Sequence, residues 1–217
     1  PARVRETLFN WLGQDLTGLR CVDAFAGTGA LGLEAASRGA AEVLLVESDG
    51  ALVKTLTALK TRLKADAVRV ERGDGVAALQ QRRGQGLDVV FLDPPFGDDG
   101  NPALFNAALL AARQALGEQG LIYLEAPRTW TGDELAQLGL QLHRQGKAGV
   151  VHFHLLQPLP PQPPLEIHPI HGVLPFTGSR NPLTRSNTAR RVSMTFSTPH
   201  LKGVQQVFLF ESELESA

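Results

Sequence analysis

Four residues, Asp93-Pro94-Pro95-Phe96, carry the densest chemistry in this 217-residue chain. They follow the apolar run Leu-Asp-Val-Val-Phe-Leu at 87–92, so they stand where a buried strand leaves its sheet. Two prolines remove two N–H donors and fix φ, which stiffens the turn and leaves its carbonyls without local partners. An acid, a rigid acceptor-rich turn and an aromatic face can together hold a planar amine. That is what alkylation of the exocyclic nitrogen of a base requires. Read without chemistry, the same residues are a strand end, a Pro-Pro turn and a core Phe. The upstream residues decide between the two.

Those residues read Val22-Asp23-Ala24-Phe25-Ala26-Gly27-Thr28-Gly29-Ala30-Leu31-Gly32. Gly27, Gly29 and Gly32 satisfy G-x-G-x-x-G between a strand and a helix, where glycine lets a ligand approach the backbone and the helix N-terminus offers N–H groups. The spacing alone fits a dinucleotide dehydrogenase nearly as well as a methyltransferase. Asp23 separates them: a carboxylate four residues before the first glycine repels a pyrophosphate but suits a cationic amino end, such as the methionine part of S-adenosylmethionine (SAM). Glu47 ends the next strand, where an acid can take both hydroxyls of a ribose. Asp74 follows the third strand and is placed for an adenine amino group. Each is weak alone, since an acid after a strand is often a helix N-cap. Together Asp23, Glu47, Asp74 and Asp93 follow four successive strands and line one edge of a sheet.

The elements that must position them alternate. A helix is expected over 3–12, then strands at 21–25, 43–46, 68–71, 87–92 and 121–125. Helices are expected at 30–38, 51–63, 76–82 and 102–116, with Gly117 and Gly120 breaking the chain after the last. Thr131 and Glu134 form a capping-box signature ahead of a brief helix. Residues 141–145 and 149–156 read as an antiparallel pair turning at 146–148. The alternation implies an α/β fold, an open doubly wound sheet, mostly parallel with an antiparallel last strand, and ligands at the strands' carboxyl ends. Nine of the 14 prolines fall in 158–217. The expected organisation is therefore one domain over 1–157, then a Pro-rich linker and a largely disordered tail with one candidate strand at 204–211.

Composition narrows the class. Hydrophobic content of 43% and charged content of 20% are those of a soluble globular protein. No apolar run approaches the roughly 18 residues of a membrane span. A single cysteine, Cys21, excludes an internal disulfide and a Cys-based zinc site, and reads as a small buried residue. With no signal peptide in view, the expected compartment is the cytoplasm and the expected state a monomer. Net charge is −1, short of the basic excess of a domain that grips nucleic acid through phosphates alone. His152 and His154 share a strand face without a nearby third ligand, so no metal is expected.

Taken together, the chain resembles the class I SAM-dependent methyltransferases, and within them the RsmD family of bacterial small-subunit (16S) rRNA guanine-N2 methyltransferases. The likeness rests on Arg3-Val4-Arg5-Glu6-Thr7-Leu8-Phe9-Asn10-Trp11-Leu12, on the stretch from Asp23 to Ala35, on Asp93-Pro94-Pro95-Phe96 and on Leu121-Ile122-Tyr123-Leu124-Glu125. It spans about residues 3–157. It implies a Rossmann-like fold, SAM as cofactor, and rRNA or a small ribosomal subunit particle as partner. It places Asp23, Gly27 and Gly29 around the methionine end, with Phe25 in the same binding set, Glu47 at the ribose and Asp74 at the adenine. Asp93, Pro94, Pro95 and Phe96 then receive the target guanine, and Arg3 and Arg5 match positions near the active-site mouth. Family members carry a basic β-hairpin ahead of the first helix, which this sequence starts after, and end near Leu156. Rival readings are amino methylation of DNA adenine or of a protein glutamine, a dehydrogenase, and a domain that binds SAM or RNA without turnover.

Overall fold

The computed structural model describes residues 2–161. Helix α1 (Ala2–Trp11) buries Val4 and Leu8, one turn apart, and its Phe9 ring lies 6.1 Å from Phe91. Then follow β1 (Arg20–Asp23), α2 (Ala30–Ser37), β2 (Glu42–Glu47), α3 (Gly50–Leu63), β3 (Val68–Arg72), α4 (Gly75–Gln80), β4 (Leu87–Leu92), α5 (Pro102–Ala115) and β5 (Leu116–Ala126). Helix α6 (Gly132–Gln137) and the strands β6 (Leu140–Ala148) and β7 (Val151–Pro158) complete the domain. The seven strands lie in the order β3-β2-β1-β4-β5-β7-β6. Strands β1 to β5 pair in parallel, and β7 runs antiparallel to both of its neighbours.

Burial on both faces explains the apolar runs Val43–Val46 in β2 and Val89–Leu92 in β4, since a parallel sheet is covered on either side. Phe105, Leu109 and Trp130 pack with Val90 and Ile122 on one face. Phe9, Leu16 and Leu56 pack with Phe91 and Tyr123 on the other. Local signals hold at the helix ends: Asp49 caps α3 through Ala51 N–H (2.7 Å) and Leu52 N–H (3.0 Å), and Thr131 and Glu134 form the full capping box of α6.

Two expected features move by more than two residues. β5 begins at Leu116 rather than 121, because the chain bulges instead of breaking: Leu87 pairs with Leu116 but Val89 with Leu121. Gly120 allows this, as a Cβ there would press on the Leu87 carbonyl at 2.7 Å. The hairpin turns at Gly149-Val150, not at 146–148; Gly146 stays in β6 opposite Phe153, whose ring occupies the space of a side chain. The compact unit ends at Pro160, with β7 running through Pro158. The linker, tail and candidate strand expected beyond it lie, from residue 162 on, outside the described residues.

Gly75 shows how tightly α4 is set against the first strand. A Cβ on it would overlap the Ala24 carbonyl oxygen, a backbone atom that cannot swing aside, whereas one on Gly73 would meet nothing within 4 Å. Gly75→Ala is therefore expected to cost about 1–3 kcal/mol. In a domain of this size each kcal/mol lowers Tm by about 2–4 °C. Gly73→Ala should stay within about 0.5 kcal/mol. Equal melting temperatures for the two variants would contradict this packing.

Candidate active site

The strand order decides which acids meet. The chain winds outward from β1 through β2 to β3, then crosses back to place β4 on the other side of β1. The carboxyl ends of β1 and β4 thus flank the switch point of the sheet, where α/β folds open a crevice. Along this edge the acids stand in the spatial order Asp74, Glu47, Asp23, Asp93 and then Glu125, one residue before the end of β5. None of the ion pairs among the described residues involves any of these five carboxylates. A row of carboxylates that enters no ion pair among the described residues is an electrostatic demand for a positively charged or donor-rich ligand.

The glycine turn is built under that row. Gly27 (φ 53°) and Gly29 (φ 80°) adopt left-handed backbone that an L side chain rarely takes. Gly32 serves closeness instead, since a Cβ there would run into the Leu45 side chain. Above Gly27 there is open space, for a Cβ built on it meets nothing within 4 Å. Asp23 lies beneath, only 2% exposed, accepting the Gly32 N–H at 3.1 Å and a second backbone bond from Phe25. Burial pushes its carboxyl up to about 7, and the nearby Asp93 and Glu47 push the same way against those two hydrogen bonds. It is no solvated loop residue. Glu47 spans the turn, taking Gly27 N–H on Oε2 at 2.8 Å and Asp49 N–H on Oε1 at 2.9 Å. Asp74 uses Oδ1 to cap α4 through Ala77 N–H at 2.7 Å and stays exposed. Phe25 is half-buried against the apolar layer that also holds Phe105.

At the other side of the crevice, Asp93 is exposed at the rim and Pro94 buried. The Pro-Pro turn is less empty of partners than its sequence suggests. Asn101 Nδ2 reaches the Pro95 carbonyl at 3.5 Å, while no donor among the described residues reaches the Asp93 carboxylate or the Pro94 carbonyl. Loss of water on its protein side, and then Glu125, push Asp93 up to about 6. The Phe96 ring leans on Phe105 at 6.1 Å and is half-buried. Arg5 pairs at 3.9 Å with Glu34, which Arg38 holds at 2.8 Å, and Arg3 is exposed on α1. Neither arginine forms an ion pair with the acidic edge.

Sequence reading passed over Glu125. It closes the strand expected at 121–125 and stands one residue before the end of β5, but nothing local distinguishes it from a solvated strand end. Its Oε1 accepts the hydroxyl of Tyr123, a wholly buried residue, at 2.8 Å. The two histidines are structural. His154 Nε2 accepts the Trp130 N–H at 3.3 Å, which leaves its Nδ1–H for the Leu124 carbonyl at 3.4 Å. Burial lowers its pKa, in keeping with that neutral tautomer. Among the described residues no group of three His, Cys, Asp or Glu could hold a metal. Burial, then Asp88, pushes the Cys21 thiol up to about 12, so it is inert. A cavity of about 590 Å³ opens at the opposite, amino end of the sheet, and its Arg20 and Arg82 are paired to Glu42 and Glu71. No helix among the described residues is long and apolar enough to cross a membrane.

A parallel sheet in this order with one antiparallel strand, a glycine turn after β1 and acids along the carboxyl edge define the class I methyltransferase architecture. The solved structure described as "Putative methyltransferase yhhF from Escherichia coli" superposes with a TM-score of 0.62 at 36% identity, over 72% of this chain and 86% of that one. The chain belongs to the family described as Conserved hypothetical protein 95, whose model matches residues 1–157. Among its relatives, Ribosomal RNA small subunit methyltransferase D of Escherichia coli (strain K12) is 40% identical over 155 residues, covering 71% of this chain and 76% of that protein. The protein of the same name from Haemophilus influenzae is 35% identical over 166 residues, covering 71% and 80%.

Proposed function

We propose that this chain is a SAM-dependent rRNA methyltransferase that modifies the exocyclic N2 of a guanine in the small ribosomal subunit. The observation that carries the reading is the acidic edge, free of ion pairs among the described residues, that wraps around an open glycine turn. SAM fits it: the molecule bears an ammonium and a sulfonium, and the turn leaves room above Gly27. When bound, it supplies a methyl group activated by a good leaving group, so no strong base is needed. Asp23 and the backbone of Gly27 and Gly29 hold the methionine end, with Phe25 beside them. Glu47 has lone pairs left for the ribose hydroxyls, and Asp74 keeps Oδ2 for the adenine amine. Asp93 and the Pro94 carbonyl, acceptors without donors of their own, take the N–H groups of the target amine. They aim its lone pair and favour the pyramidal geometry that the delocalised N2 resists. Asp93 accepts the proton that N2 sheds once the bond has formed. Phe96 offers its remaining face to the base. A paired base cannot enter this crevice, so the target is single-stranded or flipped out. Arg3 and Arg5 meet the RNA backbone near the mouth. Membership of a family whose relatives are named for small-subunit rRNA methylation supports the substrate, and the guanine N2 follows from the resemblance.

Transfer of labelled methyl from SAM to small-subunit particles, naked rRNA, DNA and protein tests the reading. Label in rRNA, released by nuclease as N2-methylguanosine, is the expected outcome. Label confined to DNA or protein would overturn it. A thermal-shift titration should show protection by SAM and none by NAD.

A further inference from the structure

The Asp-Pro-Pro-Phe turn explains how an amine is held but not why the amine is guanine's. A second carboxylate stands beside it. Phe91 pairs with Tyr123 and Leu92 with Leu124, so the parallel register carries Asp93 next to Glu125 on strands about 4.8 Å apart. The period of two puts Tyr123 and Glu125 on one face of β5, and the buried phenol donates to Oε1 at 2.8 Å. A wholly buried tyrosine thus fixes the orientation of a half-buried carboxylate and leaves Oε2 for a ligand. No ion pair among the described residues compensates either acid. Two like charges held side by side disfavour each other until donors arrive. The rise of Asp93, due first to burial and then to Glu125, agrees with such crowding.

Given the methyltransferase reading above, on which this rests, we propose that Glu125 is the residue that selects guanine, its carboxylate accepting the N1–H adjacent to the amine that Asp93 and Pro94 hold. Among the bases with an exocyclic amine, only guanine places a ring N–H donor beside it. Adenine and cytosine place an acceptor there, which would face a carboxylate lone pair to lone pair. The acidic pair therefore attracts a donor–donor edge and repels the other two. Tyr123 acts through Glu125 as a positioning residue.

The test uses 2-aminopurine, which keeps the N2 amine but turns N1 into an acceptor. After the methylated guanine is mapped with the wild-type protein, rRNA carrying 2-aminopurine at that position is assembled into particles and compared with the guanine substrate. The wild-type chain is expected to prefer guanine by about ten- to a hundredfold in kcat/KM. In Glu125→Gln the carboxamide can donate to N1, and the preference should shrink to about unity. Because the readout is a ratio of two substrates with one enzyme preparation, partial unfolding cannot mimic it. If Glu125→Gln slows both substrates alike, or the wild type does not distinguish them, the selection role is wrong while the methyltransferase reading stands. If the wild type methylates no guanine in the mapping step, both fall.

Discussion

Replacing Asp93 with alanine is expected to lower methyl transfer by about a hundredfold or more while SAM still protects the protein against heat. The size follows from position rather than from basicity. Asp93 and the Pro94 carbonyl are acceptors at the switch point that no donor among the described residues occupies. Without the carboxylate the amine keeps a single anchor, and losing the orientation of a reacting group commonly costs about 10²-fold. SAM contacts fall to Asp23, Glu47 and the glycine turn, so cofactor protection should persist. The pH dependence provides a second check. Only the ionised carboxylate accepts from N2–H; once protonated it turns an O–H towards those donors. With its carboxyl pushed up to about 6 in the unliganded protein, kcat/KM should fall as pH drops through that value. In Asp93→Asn, which keeps one acceptor oxygen but cannot titrate, that limb should vanish and more activity survive than in the alanine variant. Undiminished transfer by Asp93→Ala would remove the residue from the mechanism.

Asp23→Asn is expected to move stability and cofactor affinity in opposite directions. The sign follows from its raised pKa. Native Asp23 holds its proton up to about 7, whereas the unfolded residue loses it near 3.8. Between those values the folded state binds more protons, so the contribution of Asp23 is fully present below the lower pKa and is lost as pH rises through the upper one. At pH 8 the buried charge therefore costs the unliganded protein on the order of a few kcal/mol. Asparagine keeps an acceptor for the Gly32 N–H and cannot ionise in either state, so the advantage of the unliganded variant in melting temperature should be largest at pH 8, smaller at pH 5 and absent below about pH 3.8. A cation prefers the ionised form, so SAM binding to the wild type should strengthen from pH 5 to about 7 and then level off. The variant should bind SAM about ten- to a hundredfold more weakly at pH 8, the worth of a charge-assisted hydrogen bond. Melting curves with and without SAM across this range give both quantities. Affinity independent of pH in the wild type would show that Asp23 does not meet the ammonium.

The two variants probe acids of unlike character, although both stood out in the sequence for the same reason. Asp23 and Asp93 each follow an apolar strand, and that position was legible because strands and turns are local. Exposure was not. Asp23 is sealed under a turn whose glycines let the backbone fold over it, while Asp93 sits at the rim. Phe96, an aromatic face from sequence alone, has part of its ring committed to Phe105 on a helix that follows it. Arg5, expected near the active-site mouth, is drawn towards Glu34 on α2.

By itself the sequence determined the alternation of strands and helices, the capped start of α6, the glycine turn, and an acid at the end of each of the first four strands. These follow from period, capping and backbone freedom, which act over a few residues. Tertiary structure alone decided that β4 lies against β1, which makes neighbours of Asp23 and Asp93, 70 positions apart. It also decided that β7 inserts between β5 and β6, and that Glu125 stands beside Asp93. Strand order depends on how right-handed crossovers bury two apolar faces at once, a property of the whole sheet that no short stretch of chain encodes.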